Sequence, residues 1–83
     1  MLEQLKASPK VIGAKQVGRA LKAGRAVCVF IAQDADPRVT DPVVRLCREQ
    51  SVPTETVATM TRLGELCGIA VKSAVAAMIQ PGE

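Results

Sequence analysis

Eighty-three residues suffice for one small domain, and a chain of this length buries only about 60% of the surface its unfolded form exposes, so its core must pack closely. Hydrophobic residues make up 48% and charged residues 23%, which excludes a disordered tail or a coiled coil, and no apolar run approaches the ~20 residues that span a bilayer. The net charge is +3, histidine, tryptophan and tyrosine are absent, and Phe30 is the sole aromatic. That removes the commonest general base and metal ligand, and leaves no aromatic platform on which single-stranded bases could stack.

Taken in chain order, residues 2–7 carry Leu2 and Leu5 at a spacing that suits a short helix. Met1 to Lys10 lacks the apolar stretch and cleavage site of a secretory signal, so a cytoplasmic location is expected. Lys10-Val11-Ile12 is a short extended run ending at Gly13. From Ala14 to Ala23 the period turns helical: Ala14, Val17 and Leu21 share one face with Ala20 beside them, and Lys15, Arg19 and Lys22 recur at i, i+4 and i+7 on another. Gly24 is the expected helix stop.

Residues 26–31 are six apolar side chains in a row, the pattern of a strand buried on both faces and central in a sheet. Gln33-Asp34-Ala35-Asp36-Pro37 is turn chemistry. Asp41-Pro42 gives an N-cap followed by proline at the first helical position, so a helix is predicted from there to about Gln50, with Val43, Leu46 and Cys47 inward. Val52-Pro53 opens a strand over Thr54 to Val57, and the proline places it at a strand start or sheet edge. Thr59 or Thr61 caps a third helix presenting Leu63, Leu66 and Cys67 and stopping at Gly68. Ile69 to Lys72 is an apolar-basic loop, and Ser73 to Ile79 fits either strand or helix. Strands separated by helices predict an α/β domain with helices on both sheet faces, spanning residues 1–83 as one unit.

Cys28, Cys47 and Cys67 each sit inside an apolar pattern, and an odd count without a close pair argues against a disulfide framework or a zinc site. They read as reduced core residues, as suits the cytoplasm. Asp34, Asp36 and Asp41 could be imagined as metal ligands, but turn formation and capping account for them; Gly64 and Gly68 lack a neighbouring Gly-Lys-Ser/Thr and are expected to serve helix ends. No metal, cofactor or nucleophile–base pair is expected, and so no enzyme.

Charge is distributed unevenly. Residues 1–25 carry Lys6, Lys10, Lys15, Arg19, Lys22 and Arg25 against Glu3 alone, a balance of +5, whereas residues 26–83 carry five basic and seven acidic groups, a balance of −2. A basic segment on a slightly acidic body points to a polyanion at one end, with a solvated face as the alternative. Within it, Gly13-Ala14-Lys15-Gln16 and Arg19 form a strand-glycine-helix start. The first N–H groups and the positive dipole end favour a phosphate or an electron-rich base edge. Lys15, Gln16 and Arg19 could then hold phosphates and read base edges together.

The stretch Gly13-Ala14-Lys15-Gln16-Val17-Gly18-Arg19 resembles the Gly-x-Asn-Glu-x-x-Lys signature of the kink-turn-binding ribosomal protein family, which includes the archaeal "L-seven-Ae" protein and small bacterial members of the YbxF type. Residues 31–37, Val52-Pro53-Thr54 and residues 63–69 are similar in order and spacing, so the resemblance covers about residues 9–79. It implies a three-layer α/β/α sandwich around a mixed four-stranded sheet, and binding of sharply bent RNA loops with tandem G·A pairs. By position, Gly13, Lys15, Gln16 and Arg19 would meet the G·A pairs and the adjoining backbone; Ala14 beside them is a further RNA-binding candidate, and Lys10, Lys22 and Arg25 are expected phosphate contacts. Ile69, Ala70 and Val71 would cover splayed bases; Lys72 beside them either reaches a phosphate or is simply solvated. Lys15-Gln16 stands where the archaeal proteins have Asn-Glu, a pattern similar to the bacterial branch. The resemblance makes a kink-turn RNA the expected partner and the ribosome a candidate setting. A monomer without membrane contact is expected. A protein–protein module of the same fold remains the alternative, which the basic segment would not serve.

Overall fold

The fold is built around the apolar run at residues 26–31, which is covered on both faces from Cys28 onward while Val27 at its start is 42% exposed. The protein is described here by a computed structural model, covering Leu5 and residues 7–80. The elements are β1 (Lys10–Ile12), α1 (Ala14–Lys22), β2 (Ala26–Ala32), α2 (Pro37–Gln50), β3 (Thr54–Val57), α3 (Met60–Cys67) and β4 (Val75–Ile79). The sheet order is β1-β4-β2-β3, with β2 and β3 parallel and the other two pairs antiparallel. This is the mixed four-stranded sheet expected, and β2 is central in it.

Alternation along β2 and β4 divides the core into two layers. On one face Val29, Val75 and Ala77 meet Val17 and Leu21 of α1 and Val43 and Cys47 of α2. On the other, Cys28, Phe30, Ala32 and Ala76 meet Leu63 and Cys67 of α3, with Val57 and Leu5 beside them. All three cysteines are buried as free thiols, and burial raises each above the ordinary thiol range. The alanine-rich segment left open between strand and helix is the strand β4, paired on both sides. The short helix expected over residues 2–7 lies largely outside the described residues; Leu5, which is described, is fully buried.

Two expectations are corrected. α2 begins at Pro37, not after Asp41: Asp36 is the N-cap, accepting a 2.9 Å hydrogen bond from the Arg38 N–H, and Pro37 takes the first helical position. Asp41-Pro42 carries the same cap-and-proline signature, but Pro42 lies inside the helix. The second correction concerns Gly64, which caps nothing. It is buried within α3, and a Cβ there would run into the Val71 carbonyl oxygen. Thr59 is the cap of α3, accepting from the Arg62 N–H at 3.0 Å.

The three helices end alike. At α1 the Arg25 N–H reaches the Ala20 carbonyl at 2.9 Å and the Gly24 N–H reaches Leu21 at 3.1 Å, the paired closing bonds of a Schellman turn. The same pairing closes α2 at Ser51 and Val52, and α3 at Gly68 and Ile69.

Candidate nucleic-acid interface

Strand directions place the C-terminal ends of β1, β2 and β3, and the N-terminal end of β4, at one pole of the sheet. All three helices therefore start there. Two of those starts are satisfied by side chains, Asp36 for α2 and Thr59 for α3. The start of α1 is not: Gly13 has no side chain to offer, and the first helical bond runs from the Val17 N–H to the Gly13 carbonyl at 2.9 Å. The N–H groups of Ala14, Lys15 and Gln16 thus precede the helical ladder and have no acceptor within it. Gly13 turns the chain into this start at φ 97°, a conformation that glycine adopts readily and bulkier residues resist.

The side chains around that start are arranged as their spacing predicts. Lys15, Gln16, Arg19 and Lys22 are exposed, while Val17, Ala20 and Leu21 are buried. Among the described residues Lys15, Arg19 and Lys22 make no ion pair; the pairs found are Arg38–Asp36 and Arg62–Glu65. Nor does the chain place a carboxylate anywhere in residues 4–33, so the whole β1-α1-β2 segment has no acidic neighbour in sequence to neutralise it. Lys22 lies two turns beyond Lys15, about 10 Å along the axis, and neighbours Arg19 at i+3.

The loop Ile69–Lys72 arrives at the same pole. The Val75 carbonyl accepts from the Gly13 N–H at 3.0 Å and from the Ser73 hydroxyl at 2.7 Å, so one oxygen ties the end of this loop to the start of α1. Ser73 is buried, and its N–H donates to the Met60 carbonyl at 3.0 Å, while the Ala32 N–H holds the Ala74 carbonyl at 2.9 Å. Within the loop Ile69 packs partly into the α3-side core, and Ala70, Val71 and Lys72 are exposed. Val71 is 68% exposed, the highest value among the exposed large apolar side chains found. An exposed apolar side chain on a pinned loop beside a positive helix start presents both an apolar surface and a phosphate-attracting one.

Residues that sequence reasoning passed over are those that hold the site. Ser73 gave no signal, being one serine before an apolar run. Gly64 allows the Val71 backbone to lie directly against α3. Asp34 accepts from the Met60 N–H at 2.8 Å and so fixes the start of α3, and the Arg38 guanidinium holds the Asp36 carboxyl below its usual range. Both aspartates are thus engaged at helix starts.

Similarity to known proteins covers almost the whole chain. The sequence model of the ribosomal protein L7Ae/L30e/S12e/Gadd45 family matches residues 2–83. An RNA-binding protein of Geobacillus sp. is 43% identical over 76 residues, covering 92% of this chain and 93% of that protein. The RNA-binding protein YbxF of Geobacillus stearothermophilus is 41% identical over the same shares. Among solved structures, the Giardia lamblia 15.5kD RNA binding protein superposes with a TM-score of 0.89 at 26% identity, covering 96% of this chain and 71% of that one. A Bacillus halodurans protein of unknown function shares the fold, with a TM-score of 0.85 at 21% identity over 98% of this chain and 85% of its own.

Proposed function

The chain belongs to the ribosomal protein L7Ae/L30e/S12e/Gadd45 family, and from that premise we propose that it is a non-catalytic RNA-binding protein that recognises kink-turn RNA at the start of α1. Named relatives that bind RNA support the first half of this reading. The observation that carries the second is the α1 start itself: three N–H groups without a helical acceptor, flanked by Lys15, Gln16 and Arg19, with the Val71 loop tied to it through the Val75 carbonyl.

The chemistry follows from the donors present. The backbone N–H groups and the helix dipole attract phosphate or base acceptors without reading sequence. Arg19 offers a fork of donors that suits guanine O6 and N7, and the Gln16 amide offers one acceptor and one donor group to a base edge. A carboxylate in that place would offer only acceptors, so Gln16 pairs with one guanine N–H face while also donating. The exposed Val71 covers a base turned out of the stack. Each edge contact is worth ~1–3 kcal/mol, so recognition rests mostly on the shape of the bent RNA, with a few such contacts fixing register. The reading carries with it a cytoplasmic, monomeric protein whose targets are ribosomal or riboswitch-like RNAs of this shape.

Titration against a kink-turn RNA and the same RNA with its G·A pairs replaced tests the reading. Tighter binding to the intact RNA is expected. Equal affinity for both would reduce the protein to a generic polyanion binder.

A further inference from the structure

The proposed site occupies the N-terminal end of α1, yet the basic residues continue to its far end, and the surface between is not flat. A groove of about 270 Å³ runs beside α1 with Gln16, Arg19 and Ala23 on one wall and Val11 of β1 and Ile79 of β4 on the other. Arg25 closes its far end. Gln16 and Arg19 therefore belong both to the helix start and to the near end of this groove.

The lining of the groove mixes the apolar Val11, Ala20, Ala23 and Ile79 with the two cations Arg19 and Arg25. Of the residues lining it none is acidic. Arg25 has a fixed backbone, its N–H bonded to the Ala20 carbonyl and its carbonyl accepting from the Gln80 N–H, both at 2.9 Å. Its exposed side chain, by contrast, makes only a long 3.5 Å contact to the Gln80 carbonyl. A rigid base with a weakly held guanidinium is suited to taking a phosphate, for which arginine presents a planar fork of donors. From Gln16 to Lys22 the helix rises about 9 Å before the chain turns at Gly24 to Arg25, the axial reach of roughly three nucleotides of one strand.

Resting on the kink-turn reading, we propose that the groove between α1 and the β1 edge carries the sugar–phosphate backbone of one stem strand away from the kink, entering it beside Arg19 and placing a phosphate on Arg25. The footprint on RNA is then longer than the kink itself and is directional, extending along one of the two stems. An RNA backbone is the occupant that fits: the lining holds no acidic group for a cationic peptide, and the groove is continuous with the proposed kink-binding end.

The test pairs the full-length protein with three RNAs sharing one kink: both stems long, or either stem trimmed to a few base pairs, compared for the parent, Arg25→Gln and Arg19→Ala. Glutamine keeps a donor for the Gln80 carbonyl, and unchanged thermal unfolding verifies the fold. The parent should lose about 3- to 10-fold on trimming one stem and little on trimming the other. Arg25→Gln should bind the long RNA as weakly as the parent binds the trimmed one, with a salt slope shallower by about one. Arg19→Ala should weaken all three RNAs. If Arg25→Gln matches the parent on every RNA, or weakens all three equally, the groove assignment is overturned while the kink site stands. A parent protein that binds none of the RNAs overturns both readings. The same loss toward inorganic polyphosphate of any length would mark a general anion groove and also overturn the proposal.

Discussion

Replacing Gly64 by alanine tests how the loop at the site is held. In an ordinary helix interior alanine is favoured over glycine by ~1 kcal/mol. At position 64, however, the added Cβ would overlap the Val71 carbonyl oxygen, with the Val71 carbonyl carbon at 3.1 Å and the Lys72 Cα at 3.2 Å. Backbone cannot swing aside as a flexible side chain can, and forced repacking of this kind costs ~1–3 kcal/mol. Gly18 supplies the control. It also lies within a helix, and a Cβ there meets nothing within 4 Å, so Gly18→Ala should gain the propensity term alone. The term cancels between the two variants, leaving a difference of ~1–3 kcal/mol. At ~4–8 °C per kcal/mol for a domain of this size, the two melting temperatures should differ by roughly 5–20 °C, Gly18→Ala being the higher. Relief of the overlap moves residues 69–72, so Gly64→Ala should also weaken RNA binding. Equal melting temperatures for the two variants, with RNA affinity untouched, would refute the claim that the loop is seated on Gly64.

Arg19→Ala and Gln16→Ala should each weaken kink-turn binding by roughly 5- to 150-fold in an electrophoretic shift assay, the equivalent of ~1–3 kcal/mol per edge contact, while circular dichroism stays unchanged. Log affinity should fall against log salt with a slope of roughly −3 to −5 for a handful of phosphate contacts, and a flat response would contradict an electrostatic interface. Ser51 closes α2 at φ 56°, the one non-glycine residue with positive φ among the described residues. Ser51→Gly should raise stability in urea by roughly 0.5–1 kcal/mol, since relief of the left-handed conformation outweighs the greater freedom of glycine in the unfolded chain. Burial raises the Cys28, Cys47 and Cys67 thiols, so the folded protein should react slowly with a thiol reagent at neutral pH and expose all three groups on denaturation. Rapid native reaction of any of them would contradict their place in the core.

Much of the fold is written in local pattern. The apolar run at residues 26–31 places β2 at the centre, and Gly24, Thr59 and Gly68 mark helix ends through side-chain chemistry or backbone freedom that acts over a few residues. The start of α2 was not legible because Asp36-Pro37 and Asp41-Pro42 send the same signal. What separates them is that Asp36 receives both the Arg38 N–H and its guanidinium, a contact visible only once the turn is folded. β4 was undecided because alanine suits either element, and its strand state is imposed by β1 and β2 on its two sides. At the site, the spacing of Lys15, Gln16 and Arg19 on the exposed face of α1 was legible. Their meeting with the 69–72 loop was not, since it runs through the Val75 carbonyl, the buried Ser73 hydroxyl and the space left by Gly64.

The account turns on the start of α1 being the surface that meets RNA. Backbone amide spectra of the isotopically labelled protein, recorded while a kink-turn RNA is titrated in, report on that surface residue by residue. The Ala14, Lys15 and Gln16 amides should shift most, together with those of residues 69–72. Changes confined to α3 and the outer edge of β3, with the Ala14–Gln16 amides unmoved, would contradict it.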